Sequence, residues 1–401
     1  MTFDAHQFRQ QFPLICDSDQ IYLDSAATAQ KPQCVIDCIN KFYSESNANV
    51  HRAAHQLSAK ATAQYELARS NVAKFIHAHN SKEVIFTKGT TESINLIAQS
   101  YARPNLAAIH NIVVAVSEHH ANIVPWQMVC QQTGAELRVI HLNDNYELDL
   151  NHALSLIDQD TKIVAIAHAS NVTGVINPIE ELISLAKNVN AVTVIDGAQA
   201  IAHLPVDVQQ LDCDFYVFSA HKMFGPTGVG ILYGKEALLE AMPPWQGGGE
   251  MIKKVSFSGT TYNQLPFKFE AGTPNISGVL GLSQAINFIQ QFEHKQVFDY
   301  EQQLLNYATE RLKQLEEVNI IGDVNHKLPV LSFVVDEEHS SDVATLLDQQ
   351  NIAVRAGHHC AMPLMEYIEH SGTIRASFAP YNTFDEVEEF TKAVEKTLSF
   401  F

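Results

Sequence analysis

Asp214-Phe-Tyr-Val-Phe-Ser-Ala-His-Lys222 is a short apolar run that stops abruptly at small and basic residues. An uninterrupted apolar run of this length, without alternation, reads as a strand covered on both faces. Val192-Thr-Val-Ile-Asp196, which ends 26 positions before Lys222, reads the same way. Upstream, Leu57, Ala61, Tyr65, Ala68, Val72 and Phe75 recur at helical spacing. Strands are predicted near 84–86, 111–116, 136–140, 162–167 and 228–233, and helices over 91–102, 121–132 and 178–188. Strands alternating with helices of this length predict an α/β fold built on a large, mostly parallel, doubly wound sheet.

After about residue 280 the texture changes. Ile286, Phe288, Ile289, Phe292, Val297, Tyr300, Leu304 and Leu305 predict one long helical stretch to about 316. Strands at 330–335 and 373–379 and helices near 341–350 and 384–398 follow. The division predicted is a large α/β domain over 19–279 and a smaller α+β domain made of 1–18 and 280–401.

The 401 residues are 46% hydrophobic and 18% charged, enough to bury a sizeable core. Forty-five acidic residues against 26 basic ones give a net charge of −19, which argues against nucleic acid or an anionic membrane as the main partner. No basic segment followed by an apolar one opens the chain, and no apolar run approaches the ~18 residues of a membrane span. A soluble, cytoplasmic protein is expected. Cysteines at 16, 34, 38, 130, 213 and 360 have no framework spacing, which suggests free thiols in a reducing compartment. Cys34, Cys38, Cys130 and Cys213 read as small buried hydrophobes, while Cys360 stands in Gly357-His-His-Cys-Ala361.

Sites in open parallel sheets form beyond the carboxyl ends of the strands, and the polar motifs of this chain cluster there. Thr87-Lys-Gly-Thr-Thr-Glu-Ser93 is a small-residue turn opening a helix, suited to a phosphate or to simple capping. Ser117-Glu-His-His-Ala-Asn122 follows another strand, and its histidine could cover a planar ring, shuttle protons or be hydrogen-bonded in the core. Asp196 would be costly to bury unpaired. A strand-end acid with a strand-end Ser-x-His-Lys is the arrangement needed to hold pyridoxal 5′-phosphate. Lys222 would form the Schiff base and Asp196 would pair with the pyridinium nitrogen. Gln199 could reach the ring's phenolic oxygen, and Ser219 and His221 are candidate phosphate donors. Gly225-Pro-Thr-Gly-Val-Gly230 lacks the Gly-Lys-[Ser/Thr] of a phosphate loop and reads as a turn between strands. His119-His120 and His358-His359-Cys360 could be read as zinc ligands. Adjacent side chains diverge, however, and no CxxC or HxxxH accompanies them, so no metal site is predicted.

Taken together, Asp196-Gly-Ala-Gln199, Ser219-Ala-His-Lys222, Gly89-Thr-Thr91, Glu118-His-His-Ala-Asn122 and Arg355-Ala-Gly-His-His-Cys-Ala361 resemble the cysteine desulfurases, fold-type I (class-V aminotransferase-like) pyridoxal-phosphate enzymes. The compact cysteine segment is similar to the second group, which includes the SUF-pathway enzyme, cysteine sulfinate desulfinase and selenocysteine lyase. Ala220 and Ser93 stand where glycine is common in the family. The resemblance implies Lys222, Cys360 and His119 as catalytic residues, with His119 stacked on the cofactor. It also implies phosphate contacts from Thr90, Thr91, Ser219 and His221. Thr273 would reach the phosphate of a neighbouring subunit, which implies a homodimer. Arg375 would clamp the substrate carboxylate, with Asn171, His51 and Arg355 helping to seat the substrate. The implied activity is conversion of L-cysteine to L-alanine, with sulfur held on Cys360 as a persulfide. From there it would pass to an acceptor protein, for iron–sulfur assembly or other sulfur traffic. Selenocysteine or cysteine sulfinate as main substrate, and a pyridoxal-phosphate aminotransferase or lyase that does not use Cys360, stay open as alternatives.

Overall fold

The computed structural model describes residues 3–52 and 54–401. Its large sheet has seven strands: β1 (Val84–Thr87), β2 (Asn111–Ala115), β3 (Glu136–Ile140), β4 (Thr161–Ala167), β5 (Val192–Asp196), β6 (Phe215–Ser219) and β7 (Gly230–Gly234). They lie in the order β1-β7-β6-β5-β4-β2-β3, and only β7 runs antiparallel to its neighbours. The exception has a simple cause. Residues 220–229 are too few for the crossover of a dozen or more residues that a parallel connection requires.

The apolar runs of the sequence are apolar because the sheet is covered twice. Phe215 and Val217 of β6 enter the layer that holds Trp126, Leu96 and Ile97. Tyr216 and Phe218, between and after them, enter the opposite layer with Tyr65, Val72 and Ile286. Val192 and Val194 of β5 part from Ile195 in the same way. Each fully buried side chain of this size stabilises by roughly 1.5–3 kcal/mol. A polar residue inside any of these strands would therefore be felt, and polar side chains collect at the strand ends instead.

A second sheet holds β8 (Val318–Ile321), β9 (Val330–Val335), β10 (Arg355–Gly357) and β11 (Thr373–Ser377), in the antiparallel order β8-β9-β11-β10. Leu331, Phe333, Ile374 and Ala376 pack against the helices His294–Leu312, Ser340–Asp348 and Phe384–Leu398. The N-terminal segment ties the two sheets together. Ile21–Tyr22 pairs with Ile352–Ala353, Asp24 bridges Ser377, and Phe8 and Phe12 pack with Phe224, Phe288 and Tyr381.

Three expectations change. The long helix through 316 is two helices, Ile276–Ile289 and His294–Leu312, parted at residues 290–293. The first packs Val279, Leu282 and Ile286 into the core of the large sheet, so packing favours a division after Ile289 rather than at 279/280. Cys34 and Cys38 are half-buried on the helix Gln33–Lys41, and of the four cysteines read as buried only Cys130 and Cys213 are so. The hairpin Ile252–Ser256 with Gly259–Tyr262 was not anticipated, because its Lys- and Thr-rich strands cover no core and stand exposed. No helix of the described residues is long and apolar enough to cross a membrane.

Candidate active site

Asp196 is the last residue of β5 and is fully buried, with Oδ1 accepting from the Ala198 amide at 2.9 Å. Burial raises its pKa, and Lys222 opposes that only in part. Lys222 ends the tight turn Ala220–Lys222 after β6. Burial pushes its amine down to about 8, with Asp196 pulling the other way. A lysine so poised is neutral and nucleophilic in a useful fraction of molecules near neutral pH.

His119 follows β2. Its Nδ1 accepts from the Ala121 amide at 3.0 Å, which assigns the ring proton to Nε2. Burial, and then the charge of Lys222, lower its pKa to about 4, so the ring is uncharged at neutral pH. His221 is likewise held to about 4 by burial and by Lys222 and Lys31. Its carbonyl accepts from Ala29 N at 3.0 Å and from Lys31 Nζ at 3.0 Å, which fixes the backbone just before Lys222.

The Gly-Thr-Thr turn opens the helix Thr90–Ile97. Thr90 donates its amide to Ser219 Oγ at 2.9 Å and shares a hydroxyl contact with the same atom at 2.8 Å. Gly230, the first residue of β7, leaves the turn its room: a Cβ there would meet Gly89 Cα at 2.4 Å. Helix amides and hydroxyls thus converge on one spot, the ordinary chemistry of a phosphate site. Ser93 and Ala220 fit where they stand. Ser93 Oγ pairs with Thr87 Oγ1 at 2.8 Å, and Ala220 is buried behind Gly225.

Arg375 on β11 is 2% exposed. Nη1 donates to the Asn171 carbonyl at 2.7 Å and Nη2 to Asp24 Oδ1 at 3.1 Å. Its Nε is buried and has no partner among the described residues, a donor that calls for an acceptor. Arg355 sits opposite Arg375 across β10 and β11, and it too binds Asp24, with Nη2 at 2.8 Å from Oδ2.

Cys360 is exposed, in a loop whose backbone is unusual. Gly357, His359 and Cys360 have φ of 106°, 50° and 56°. Local hydrogen bonds hold these left-handed conformations. Cys360 N donates to His358 Nδ1 at 3.1 Å, His120 N donates to the Cys360 carbonyl at 2.7 Å, and Met362 N donates to His120 Nε2 at 3.0 Å. His359 is buried, with Nε2 on Thr373.

One cavity of about 300 Å3 is lined by Lys222, Cys360, His119, Asp196, Gln199, Thr90, Thr91, Ser219, His221, Asn171, Arg355 and Arg375. Two expected residues lie outside it. His51 pairs through Nε2 with Glu66 at 2.9 Å, and Thr273 borders a separate cleft with Lys88 and Trp245. Asp24 and His359 were missed by sequence reasoning, and only the short apolar run Ile21-Tyr-Leu23 before Asp24 could have drawn attention to it. A larger cleft of about 1420 Å3 beside His168, Ile201 and Phe292 holds none of these residues. In the smaller cavity Lys222, Asp196 and His119, each with a displaced pKa, come together around one space. Among the described residues no group of three or more His, Cys, Asp or Glu is arranged to hold a metal ion.

The pattern of the class-V aminotransferase family matches residues 21–390. A probable cysteine desulfurase of Vibrio cholerae serotype O1 is 52% identical across 99% of both chains. A cysteine desulfurase of Shigella flexneri is 48% identical across 99% of this chain and 98% of its own. Among solved structures, the cysteine desulfurase CsdA from Escherichia coli in its S-sulfonic acid form is 45% identical with a TM-score of 0.94, covering 100% of both chains. The apo cysteine desulfurase from Thermococcus onnurineus NA1 is 39% identical with a TM-score of 0.95 over 98% of each. Pyridoxal 5′-phosphate, the cofactor of this family, fits the donor set: a half-buried lysine amine of lowered pKa, a buried carboxyl, a neutral imidazole and a helix-opening turn of hydroxyls. The chain belongs to the class-V aminotransferase family of pyridoxal-phosphate enzymes, among its cysteine desulfurases.

Proposed function

We propose that the protein converts L-cysteine to L-alanine, with the sulfur passing to Cys360 as a persulfide and then to a thiol of an acceptor protein. The observation that carries this reading is one cavity shared by the exposed thiol of Cys360 and the amine of half-buried Lys222, with Arg355 and Arg375 beside them. When bound, pyridoxal phosphate supplies an electron sink that stabilises negative charge developing on the substrate.

The chain's residues do the rest. Lys222 would hold the cofactor covalently, and its amine, once free, is the group placed to take the Cα proton. Asp196 would pair with the ring nitrogen, and Gln199 would reach the phenolic oxygen. Neutral His119 would cover the ring, and Thr90, Thr91, Ser219 and His221 would hold the phosphate. Arg375 offers Nε to the substrate carboxylate, steadied by Asn171, and so aims Cβ and its sulfur toward Cys360.

Ionised Cys360 attacks the substrate sulfur, an S–S bond forms as Cβ–S breaks, and the electron pair stays with the carbon, which is protonated. Cysteine plus thiol becomes alanine plus persulfide, and no external oxidant is needed. His359 is held through Nε2 on Thr373 and His358 Nδ1 accepts from the Cys360 amide, so both loop histidines orient the backbone that presents the thiol. Thr273 and His51, which miss the cavity of their own chain, are read as serving a neighbouring subunit in a homodimer. Six free cysteines suit a reducing, cytoplasmic setting.

Cys360→Ser tests the reading. Alanine release from cysteine should fall on the order of 100-fold or more, while release from selenocysteine, whose leaving group departs more easily, should persist. Equal loss on both substrates, or no loss on cysteine, would refute the assigned role of the thiol.

A further inference from the structure

Among the described residues, Lys31, Lys222, Lys268 and Lys327 have amines whose pKa burial lowers. Lys268 donates to the carbonyls of Leu239 and Glu240 and Lys327 to that of Gly322, none of which lines the cavity. Lys31 is different. Its Nζ donates to the carbonyl of His221 at 3.0 Å, to that of Ala29, and more loosely to Thr28 Oγ1 at 3.5 Å. Three N–H bonds are all that an ammonium has, and here each ends on a neutral oxygen. Burial lowers the pKa of Lys31 to about 8, so at neutral pH it keeps its charge and all three donors.

These contacts meet at the carbonyl of His221. It accepts from Ala29 N at 3.0 Å, from Lys31 Nζ at 3.0 Å and from Thr28 Oγ1 at 3.2 Å. A carbonyl oxygen has two lone pairs, so its accepting capacity is full. The segment that supplies the donors is itself pinned. Tyr22 Oη donates to the Thr28 carbonyl at 2.8 Å, and Gln30 N donates to Tyr381 Oη at 3.2 Å. The peptide unit so held joins His221 to Lys222 at the end of the turn Ala220–Lys222. Lys222 lines the cavity, whereas Lys31 and Thr28 do not.

Under the proposed function Lys222 works at two places, the cofactor and the Cα of the substrate. Its side chain must swing between them, so only its backbone can be fixed. A displacement of about 1 Å at such a pivot can cost on the order of 100-fold in rate. Building on that function, we infer that Lys31 is a positioning residue: with Thr28 and Ala29 it holds the His221 carbonyl and so fixes the point from which Lys222 reaches cofactor and substrate. Lys31 touches neither of them in this role; it acts through the backbone at 221–222.

The test is Lys31→Met in the full chain, a change that keeps the length and removes the donors. Two ligands are compared on the cofactor-free protein. Pyridoxal 5′-phosphate can bond to Lys222, whereas pyridoxine 5′-phosphate, an alcohol in place of the aldehyde, can bind only through ring and phosphate. The rate of bond formation, followed by absorbance and mapped to Lys222 by borohydride trapping, should fall about tenfold in the variant. Affinity for pyridoxine 5′-phosphate should stay within about twofold, and kcat for alanine release by the reloaded enzyme should fall about tenfold. Equal weakening of both ligands, a bond-forming rate within about twofold of the parent, or an unchanged kcat would leave Lys31 a mere brace of the fold and overturn the inference.

Should Lys31→Met fail to accumulate, Thr28→Val carries the test, since it removes another donor to the same carbonyl and nearly keeps the shape. The bond-forming rate should then fall about threefold with pyridoxine 5′-phosphate affinity unchanged, and an unchanged rate would overturn the inference. Alanine release from cysteine by the unaltered enzyme is read first. Its absence refutes the proposed function, whereas its presence with an unaltered bond-forming rate in the variant refutes the role of Lys31 alone.

Discussion

Asp196 is buried and Lys222 half-buried, and their desolvation outweighs their mutual attraction: the amine's pKa is lowered and the carboxyl's raised. In the cofactor-free protein Lys222 titrates near 8 rather than 10.5, so across that interval the unfolded chain binds more protons than the folded one. Stability from this group is complete above 10.5, and it is lost as pH falls to about 8. The corresponding cost at pH 7 is about 3 kcal/mol. Lys222→Met should therefore stabilise the cofactor-free protein at pH 7 by about 1–3 kcal/mol and flatten its urea midpoint between pH 8 and 10.5 relative to the parent. Buried Lys327, also lowered to about 8, contributes a slope common to both proteins. An unchanged difference across that interval would show that Lys222 is not the group under strain. Lys222, Asp196 and His119 could be picked out in the sequence because each lies at the end of an apolar strand or within four residues of it. Asp24 was not, because its partners Arg355 and Arg375 lie 331 and 351 positions away.

At the scale of elements, the strand ends are aimed by close packing of backbone on backbone. Gly230 lets β7 press on the Gly-Thr-Thr turn, and a Cβ there would come within 2.5 Å of the backbone of Gly89. Gly230→Ala should displace the turn, cost about 1–3 kcal/mol and weaken cofactor retention about tenfold. Gly247→Ala, with nothing within 4 Å of its Cβ, should change stability by less than about 0.5 kcal/mol. Cofactor titration and urea denaturation of the two variants check both, and equal behaviour would contradict this account of the turn. The large sheet could be read in advance because two apolar layers make each strand an unbroken run. The hairpin at 252–262 and the short strands β8 and β10 could not, because three to five residues, often polar, carry too little pattern. The single helix expected through 316 breaks at residues 290–293, between a helix that serves the large sheet and one that serves the small.

At the scale of the molecule, Thr273 and His51 are the expected site residues that the cavity of one chain leaves out. They are also mechanically linked. His51 binds Glu66, Glu66 binds Arg69, and buried Arg69 forms a two-pronged pair with Glu270, three residues before Thr273. If Thr273 serves a neighbouring subunit, a mixture of Lys222→Ala chains and Thr273→Ala chains should recover activity, since one mixed site holds both Lys222 and Thr273. Co-expression with two affinity tags measures this, and a mixed dimer no better than its inactive parents would contradict the assignment. The central claim is sulfur transfer to Cys360, and intact-mass and peptide analysis after brief exposure of the holoenzyme to cysteine tests it most directly. A gain of one sulfur atom on the peptide bearing Cys360, removed by dithiothreitol, is the predicted result. Alanine forming steadily while that peptide never carries the extra sulfur would contradict it.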